Sequence, residues 1–180
     1  NWDLTNAKIE YNEIKIIGDN FDMYMFNTST KKLSSDFNEK HDFLIETEIY
    51  FTKKGTLNPG SGLIFFTNKA KKDFYAFTIN KGGSWRVLSS SRKLNSDNTY
   101  SYVNEYLTNE YEVSKFVNKG HYSKNKIKVE RKANKYNFYI NDKLVFSESS
   151  QKFKKYGNYC GYITYEKNII KGDYFEVRNL

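Results

Sequence analysis

A single cysteine, Cys160, stands in the 180 residues, so no disulfide can close within the chain and no thiolate cluster can hold zinc. It lies in the apolar run Tyr159-Cys-Gly-Tyr-Ile163, where a buried, unreactive thiol is expected. There is one proline, Pro59, and neither a serine-glycine tract nor a charge block. No linker is therefore visible, and residues 1–180 read as one domain. No run of about 18 apolar residues occurs, which excludes a membrane-spanning helix. No signal peptide is read in the chain either, which says little about compartment. Histidine is confined to His41 and His121, and no Ser-His-Asp or Cys-His arrangement follows from their spacing.

Arginine is also scarce. The net charge is +8, yet only Arg86, Arg92, Arg131 and Arg178 among the 29 basic residues carry a guanidinium. Arginine is the better reader of phosphates and bases, and the lysines fall in short scattered pairs such as Lys31-Lys32 and Lys154-Lys155. Such pairs solvate loops and strand edges, so nucleic acid is not the expected partner.

What is abundant is aromatic: 18% of the chain is Phe, Tyr or Trp. Together with many Ile and Thr residues, this favours strands over helices. The clearest segment runs from Asn125 to Phe146. Ile127, Val129 and Arg131 alternate with Lys128, Glu130 and Lys132 before a polar turn at Ala133-Asn134-Lys135. Tyr136, Phe138 and Ile140 then alternate with Asn137, Tyr139 and Asn141. The Asn141-Asp142 pair tolerates positive φ, and Leu144 and Phe146 resume the apolar face. A one-residue slip would bury lysines, so this spacing predicts a three-stranded antiparallel meander in a fixed register.

Strand signals recur about every ten residues elsewhere, around Ile9-Tyr11, Ile14-Ile17, Phe21-Phe26, Asp42-Phe51, Leu63-Phe66, Phe74-Ile79, Trp85-Leu88, Tyr159-Tyr165 and Ile169-Val177. Residues 27–41 read as a loop and Asn58-Pro59-Gly60 as a turn. Residues 95–124 read as long loops with one or two strands, and residues 153–157 as a loop or short helical turn. About a dozen short strands without intervening helices imply two packed antiparallel sheets. The expected fold is all-β, an antiparallel β-sandwich jelly roll.

Several motifs appear in a definite order: Asp42-Phe-Leu-Ile-Glu-Thr-Glu-Ile-Tyr-Phe51, Gly62-Leu-Ile-Phe65, Asp73-Phe-Tyr-Ala-Phe-Thr-Ile79 and Gly83-Ser-Trp-Arg-Val87. They continue as Asn125-Lys-Ile-Lys-Val129, Phe138-Tyr-Ile-Asn-Asp-Lys-Leu-Val145, Gly161-Tyr-Ile163 and Asp173-Tyr-Phe-Glu-Val177. In this order, across residues 42–178, the chain resembles the concanavalin A-like lectin/glucanase domains. It resembles more narrowly the bacterial 3-keto-disaccharide hydrolase family, which is similar to family-16 glycoside hydrolases. Glycan-binding and laminin-G-like modules share the order, so the resemblance implies the fold more firmly than the activity.

Two sets of residues carry candidate chemistry. Glu46 and Glu48 stand at i and i+2, on one face of a strand and roughly 6–7 Å apart at Cα. Retaining glycosidases hold two carboxyl groups about 5–5.5 Å apart. The resemblance implies an E-x-D-x-E strand, but the frame from Glu46 ends in Tyr50 and the frame from Leu44 lacks its first acid. The catalytic candidates are thus Glu46, Glu48 and an assisting His121, and the alternative is a polar outer face beside lysines. The second set is Trp85, Arg86, Tyr100, Tyr102, Asn104 and Tyr106. Sugar rings offer apolar C–H faces and hydroxyl edges, which aromatic platforms and polar side chains bind together. Trp85 with Val87 reads equally well as a core pair. Asp19-Asn20-Phe21-Asp22 and Asn95-Ser-Asp97-Asn98 offer oxygens to calcium, but neither has a binding-loop spacing, and no cofactor is expected.

The expectation is a non-catalytic carbohydrate-binding or interaction module of an exported bacterial protein, extracellular, periplasmic or at the cell surface. Its concave sheet would present Glu46, Glu48, Tyr50, Trp85 and Arg86, with Tyr100, Tyr102 and Tyr106 at the rim, to an oligosaccharide or a protein partner. The alternatives are a hydrolase acting on a 3-keto-disaccharide or glucan, and a scaffold domain with no sugar ligand.

Overall fold

The computed structural model describes the backbone of residues 2–4, 7–10, 13–17, 26–32, 41–52, 60–68, 73–165 and 168–180, and side chains within these ranges from residue 41 onward. The strands are β1 (Trp2–Leu4), β2 (Ala7–Glu10), β3 (Glu13–Ile17), β4 (Phe26–Lys32), β5 (Phe43–Phe51), β6 (Ser61–Thr67), β7 (Asp73–Ile79) and β8 (Ser84–Leu94). They continue with β9 (Tyr100–Tyr106), β10 (Glu112–Val113), β11 (Lys124–Lys132), β12 (Lys135–Ile140), β13 (Lys143–Ser149), β14 (Tyr159–Tyr165) and β15 (Ile169–Asn179). A 3-10 turn, Ser150–Lys152, follows β13.

One sheet, termed the front sheet, runs β1-β4-β14-β6-β7-β8-β10, with β9 pairing the far half of β8. The back sheet runs β13-β12-β11-β5-β15-β3-β2. Neighbouring strands in both sheets run antiparallel. The two inner faces meet over one core that includes Phe43, Ile45, Ile49 and Phe51 of β5, Phe65 of β6, Phe77 of β7 and Phe138 of β12. Cys160 is buried in that core. This is the antiparallel β-sandwich jelly roll that the sequence predicts.

The meander forms as the alternation requires. Ile127, Val129, Phe138 and Ile140 point inward and are sealed from solvent. Ala133 and Asn134 have φ of 49° and 62°, and Asn141 and Asp142 have 49° and 63°, so both hairpins turn on two residues in the left-handed region. Asn tolerates that region through local side-chain hydrogen bonding. The polar turn is thus one residue shorter than expected, since Lys135 already pairs with Lys132. Asn141 adds a second tie, its Nδ2 donating to the Phe116 carbonyl at 2.7 Å and to Asn125 Oδ1 at 3.1 Å.

Two expectations need correction. Leu144 does not resume the apolar face: a bulge makes Phe146 face Phe138 while Leu144 faces Tyr139, and Leu144 is 53% exposed. Residues 27–32, expected in a loop, belong instead to β4 (Phe26–Lys32), which pairs with β14 despite a polar sequence, and residues 33–40 lie outside the described residues. The strand expected at Phe21–Phe26 and the turn at Asn58–Gly60 lie outside the described residues, apart from Phe26 and Gly60.

Candidate functional site

The residues singled out from the sequence divide between three places. Glu46, Glu48 and Tyr50 lie on the outer face of the back sheet, because Ile45, Thr47 and Ile49 take the inner one. β11 sets lysines opposite them, Lys128 across from Glu46 and Lys126 across from Glu48. Glu46 Oε1 accepts a 2.6 Å hydrogen bond from the Tyr174 hydroxyl, and Glu48 Oε1 sits 2.8 Å from Lys124 Nζ. Lys124 also holds Asp173 at 2.8 Å, which keeps the Asp173 carboxyl below the usual carboxylate range. His121 is exposed, with Nδ1 3.1 Å from the Thr52 carbonyl. Thr52 is six residues along the strand from Glu46, roughly 20 Å at the usual rise. The three catalytic candidates are therefore not brought together.

Trp85 occupies the second place, the core. It is 6% exposed, and its ring meets Phe77 edge-on at 6.2 Å. Its position on β8 puts it on the inner face with Val87, so it reaches no surface platform.

Arg86 and the tyrosines occupy the third place, the outer face of the front sheet. Along β8, Arg86 and Leu88 point outward, and β9 lays Tyr106 beside Leu88 and Tyr102 beside Arg92. The Arg92 guanidinium lies 3.7 Å from the Tyr100 ring centre. The Arg86 guanidinium is stacked against three rings, Tyr111 at 4.4 Å, Tyr165 at 5.3 Å and Tyr106 at 5.6 Å. Below them a second apolar cluster forms from Ile64, Phe74, Ala76, Leu88, Ile163 and Tyr165, with Tyr102 packed on it. Arg86 and the back-sheet glutamates thus face away from each other, and one concave surface carrying both does not exist. The physical reason is a property of the fold: β5 and β8 belong to different sheets, and each turns its polar residues outward.

A cavity of about 360 Å³ opens near Tyr106, lined by Tyr75, Ser89, Glu105, Tyr106, Leu107, Gln151, Lys152, Lys154 and Tyr156. The segment after β13 builds one wall. The Ser150 amide bonds the Asn134 carbonyl at 2.9 Å, and Phe153 plugs the core end, 4.3 Å from Tyr136 and 4.9 Å from Tyr75. At Gly157 a Cβ would come within 2.5 Å of the Thr67 carbonyl oxygen, so only glycine lets the chain pass this close. Tyr75 forms the floor. Its hydroxyl accepts from the Lys154 amide at 2.7 Å, and its ring stacks on Tyr156 at 5.4 Å with 24° between planes. Burial pushes the Tyr75 hydroxyl well above its usual pKa, so it stays neutral and a donor.

Sequence reasoning reached Tyr106 in this cavity and missed Tyr75, Glu105, Gln151, Lys152, Lys154 and Tyr156. Tyr75 sits mid-strand and reads as core, and residues 150–156 carry no periodicity. The one signal was Phe153-Lys-Lys-Tyr156-Gly157, aromatics and glycine within an otherwise polar loop.

For calcium, the candidate at Asp19–Asp22 lies outside the described residues. Asp97 Oδ1 accepts from the Thr99 amide at 3.0 Å and the Thr99 hydroxyl at 2.6 Å, closing a turn on itself. Among the described residues no three His, Cys, Asp or Glu side chains converge on a metal position.

This arrangement of strands has solved counterparts. The carbohydrate-binding module CBM66 from Bacillus subtilis superposes with a TM-score of 0.62 at 12% identity, covering 99% of this chain and 95% of that one. The fold is an antiparallel jelly-roll β-sandwich shared with that module. A xylan β-1,4-xylosidase from Bacillus halodurans gives 0.60 at 10% identity, covering 96% of this chain and 34% of the enzyme. No protein-family model and no curated protein sequence matches the chain.

Proposed function

We propose that this jelly roll is a non-catalytic carbohydrate-binding module and that a glycan enters the cavity beside Tyr75, Tyr106 and Tyr156. The carrying observation is the pairing of a stacked tyrosine floor with Glu105, Gln151, Lys152 and Lys154 around about 360 Å³. Tyr75 is 3% exposed between the Phe65 and Tyr156 rings, so the half-buried Tyr156, backed by Tyr75, takes the C–H side of a sugar ring, and the charged and amide groups take its hydroxyls. The volume falls within the usual range for small-ligand sites. Among the described residues one carboxylate, Glu105, lines the cavity, and the Glu46–Glu48 pair lies on the other sheet. Acid/base catalysis on a glycosidic bond uses two such groups together. The two fold neighbours are, by name, a carbohydrate-binding module and a xylosidase, in keeping with a role on glycans outside the cytoplasm.

Titration calorimetry against a panel of neutral and acidic oligosaccharides tests the reading. Binding in the micromolar to millimolar range is expected, with Tyr156→Ala and Glu105→Gln each weakening it. Silence across the whole panel, with a protein recovered in a pull-down, would replace the glycan with a protein partner. Turnover of a 3-keto-glucoside or β-glucan would make the protein an enzyme.

A further inference from the structure

Arg86 is 7% exposed, yet no hydrogen bond or ion pair of its guanidinium is found among the described residues. Its Nε is sealed from solvent and has no acceptor among them. Glu110 acts electrostatically on Tyr111, the ring nearest the guanidinium, but forms no ion pair with Arg86. Two more polar groups on the same face share this state. Thr78, directly across the ladder from Arg86, and Ser90, four residues further along β8, are buried with hydroxyls that find no partner among the described residues. Buried polar atoms are normally satisfied, and a buried cation is normally paired. Three tyrosine faces replace part of the lost hydration, but a ring face offers no lone pair in the plane of the guanidinium.

A structural role for Arg86 would be served better by an acid built into the fold. Arg131 shows what that looks like: it is also buried, and it reaches Asp42 Oδ1 at 3.3 Å and Asn134 Oδ1 at 3.2 Å. Arg86 is by contrast a prepared cation with no anion among the described residues. A carboxylate matches a planar guanidinium in two parallel hydrogen bonds, and a site of low polarity strengthens them. Tyr106 stands at the edge between this position and the cavity: its ring packs on Arg86 at the outer face of the sheet, while Tyr75, Ser89 and Glu105 line the cavity from the inner face.

We propose that the glycan taken by this module is acidic and that Arg86 receives the carboxylate of a uronic acid residue on the outer face of the front sheet, across the Tyr106 edge from the tyrosine-lined cavity. This rests on the carbohydrate-binding reading and narrows its ligand class. The fork of Arg86 would grip the carboxylate, Thr78 would supply a hydroxyl beside it, and Tyr106 would back the guanidinium.

The test pairs oligogalacturonates with their carboxyl-reduced, neutral counterparts of equal length, titrated into the whole protein in low salt. The wild type should bind the acid form at least tenfold more tightly, and added salt should erode that preference. Arg86→Gln should remove the preference while leaving any affinity for the neutral form. Arg86→Lys should keep part of it, because the charge remains and the fork is lost. Equal affinity of the wild type for both forms overturns the acidic-ligand inference and leaves the carbohydrate-binding reading standing. A preference that survives intact in folded Arg86→Gln, checked by its melting temperature, overturns the assignment to Arg86. Failure to bind any sugar, neutral or acidic, overturns both readings. The wild-type comparison needs no variant, so it decides even if Arg86→Gln does not fold.

Discussion

The outer faces of the two sheets are made from the same alternation and have opposite character. On the back sheet charges find counterparts: Lys124 with Glu48 and Asp173, Lys126 with Asp142, Glu46 with the Tyr174 hydroxyl, Glu130 with the Tyr139 hydroxyl. Most of these groups keep substantial contact with solvent, where such pairs add little stability. The front sheet instead buries a second apolar cluster on its outer side and sets above it an arginine with no acid among the described residues. A saturated, wet face has no unmet demand for a ligand. A dry face with an unmatched cation does.

The sharpest way to break this contrast is truncation of an aliphatic residue on each outer face. Leu88→Ala should lower stability by about 2–4 kcal/mol in urea unfolding, as in a true core. Leu144→Ala on the back sheet should stay within about 0.5 kcal/mol. Equal costs would mean that the front face is an ordinary solvated surface. Next in size, Tyr156→Ala should reduce oligosaccharide affinity about tenfold, or about 1.4 kcal/mol, by calorimetry. Unchanged affinity would move the glycan out of the cavity. Smaller again, Glu46→Gln should change stability by less than about 1 kcal/mol and leave sugar binding untouched. Loss of binding there would return the site to the back sheet.

The smallest effects are in pH. Lys124 holds the folded Asp173 carboxyl below its unfolded value, so its contribution is present above the usual carboxylate range and lost on acidification through it. Asp173→Asn should flatten the acid limb of the stability curve slightly. Tyr139 runs the other way. Burial and its bond to Glu130 raise the hydroxyl to about 12, so its contribution holds below the ordinary tyrosine value and disappears as pH climbs to the folded one. A spectroscopic titration should find Tyr139 ionising late, and Tyr139→Phe should remove that late step.

How much was legible varied with the strand. In β11 and β12 strict alternation announced the inner residues, and the positive-φ turn at Asn141-Asp142 could be read from local chemistry. In β6 the continuous apolar run Leu63–Phe66 is what a strand covered on both faces requires, and both its faces are buried. β4 was hidden because its Asn, Thr and Lys residues carry no apolar pattern, and its pairing with β1 and β14 is what makes it a strand. The bulge that turns Leu144 outward was hidden for a related reason, since one extra residue in a strand leaves no mark on its composition. Tyr106 was found as an aromatic on an alternating strand, but its neighbour Tyr75 looked like any core aromatic until the 150–156 segment was seen to cross it.

By itself the sequence determined the all-β class, the register of β11 against β12, the buried thiol and the inward residues of β5, β11 and β12. These follow from a period of two and from the φ preferences of single residues, which are local. Only the tertiary structure decided which strands share a sheet, and therefore that Glu46 and Arg86 look in opposite directions and that Trp85 looks inward. It also decided that Arg86 stacks on tyrosines rather than meeting an acid among the described residues, and that a loop from the far edge closes a tyrosine-floored cavity. Those outcomes depend on distances between residues remote in the chain, and no local preference encodes them.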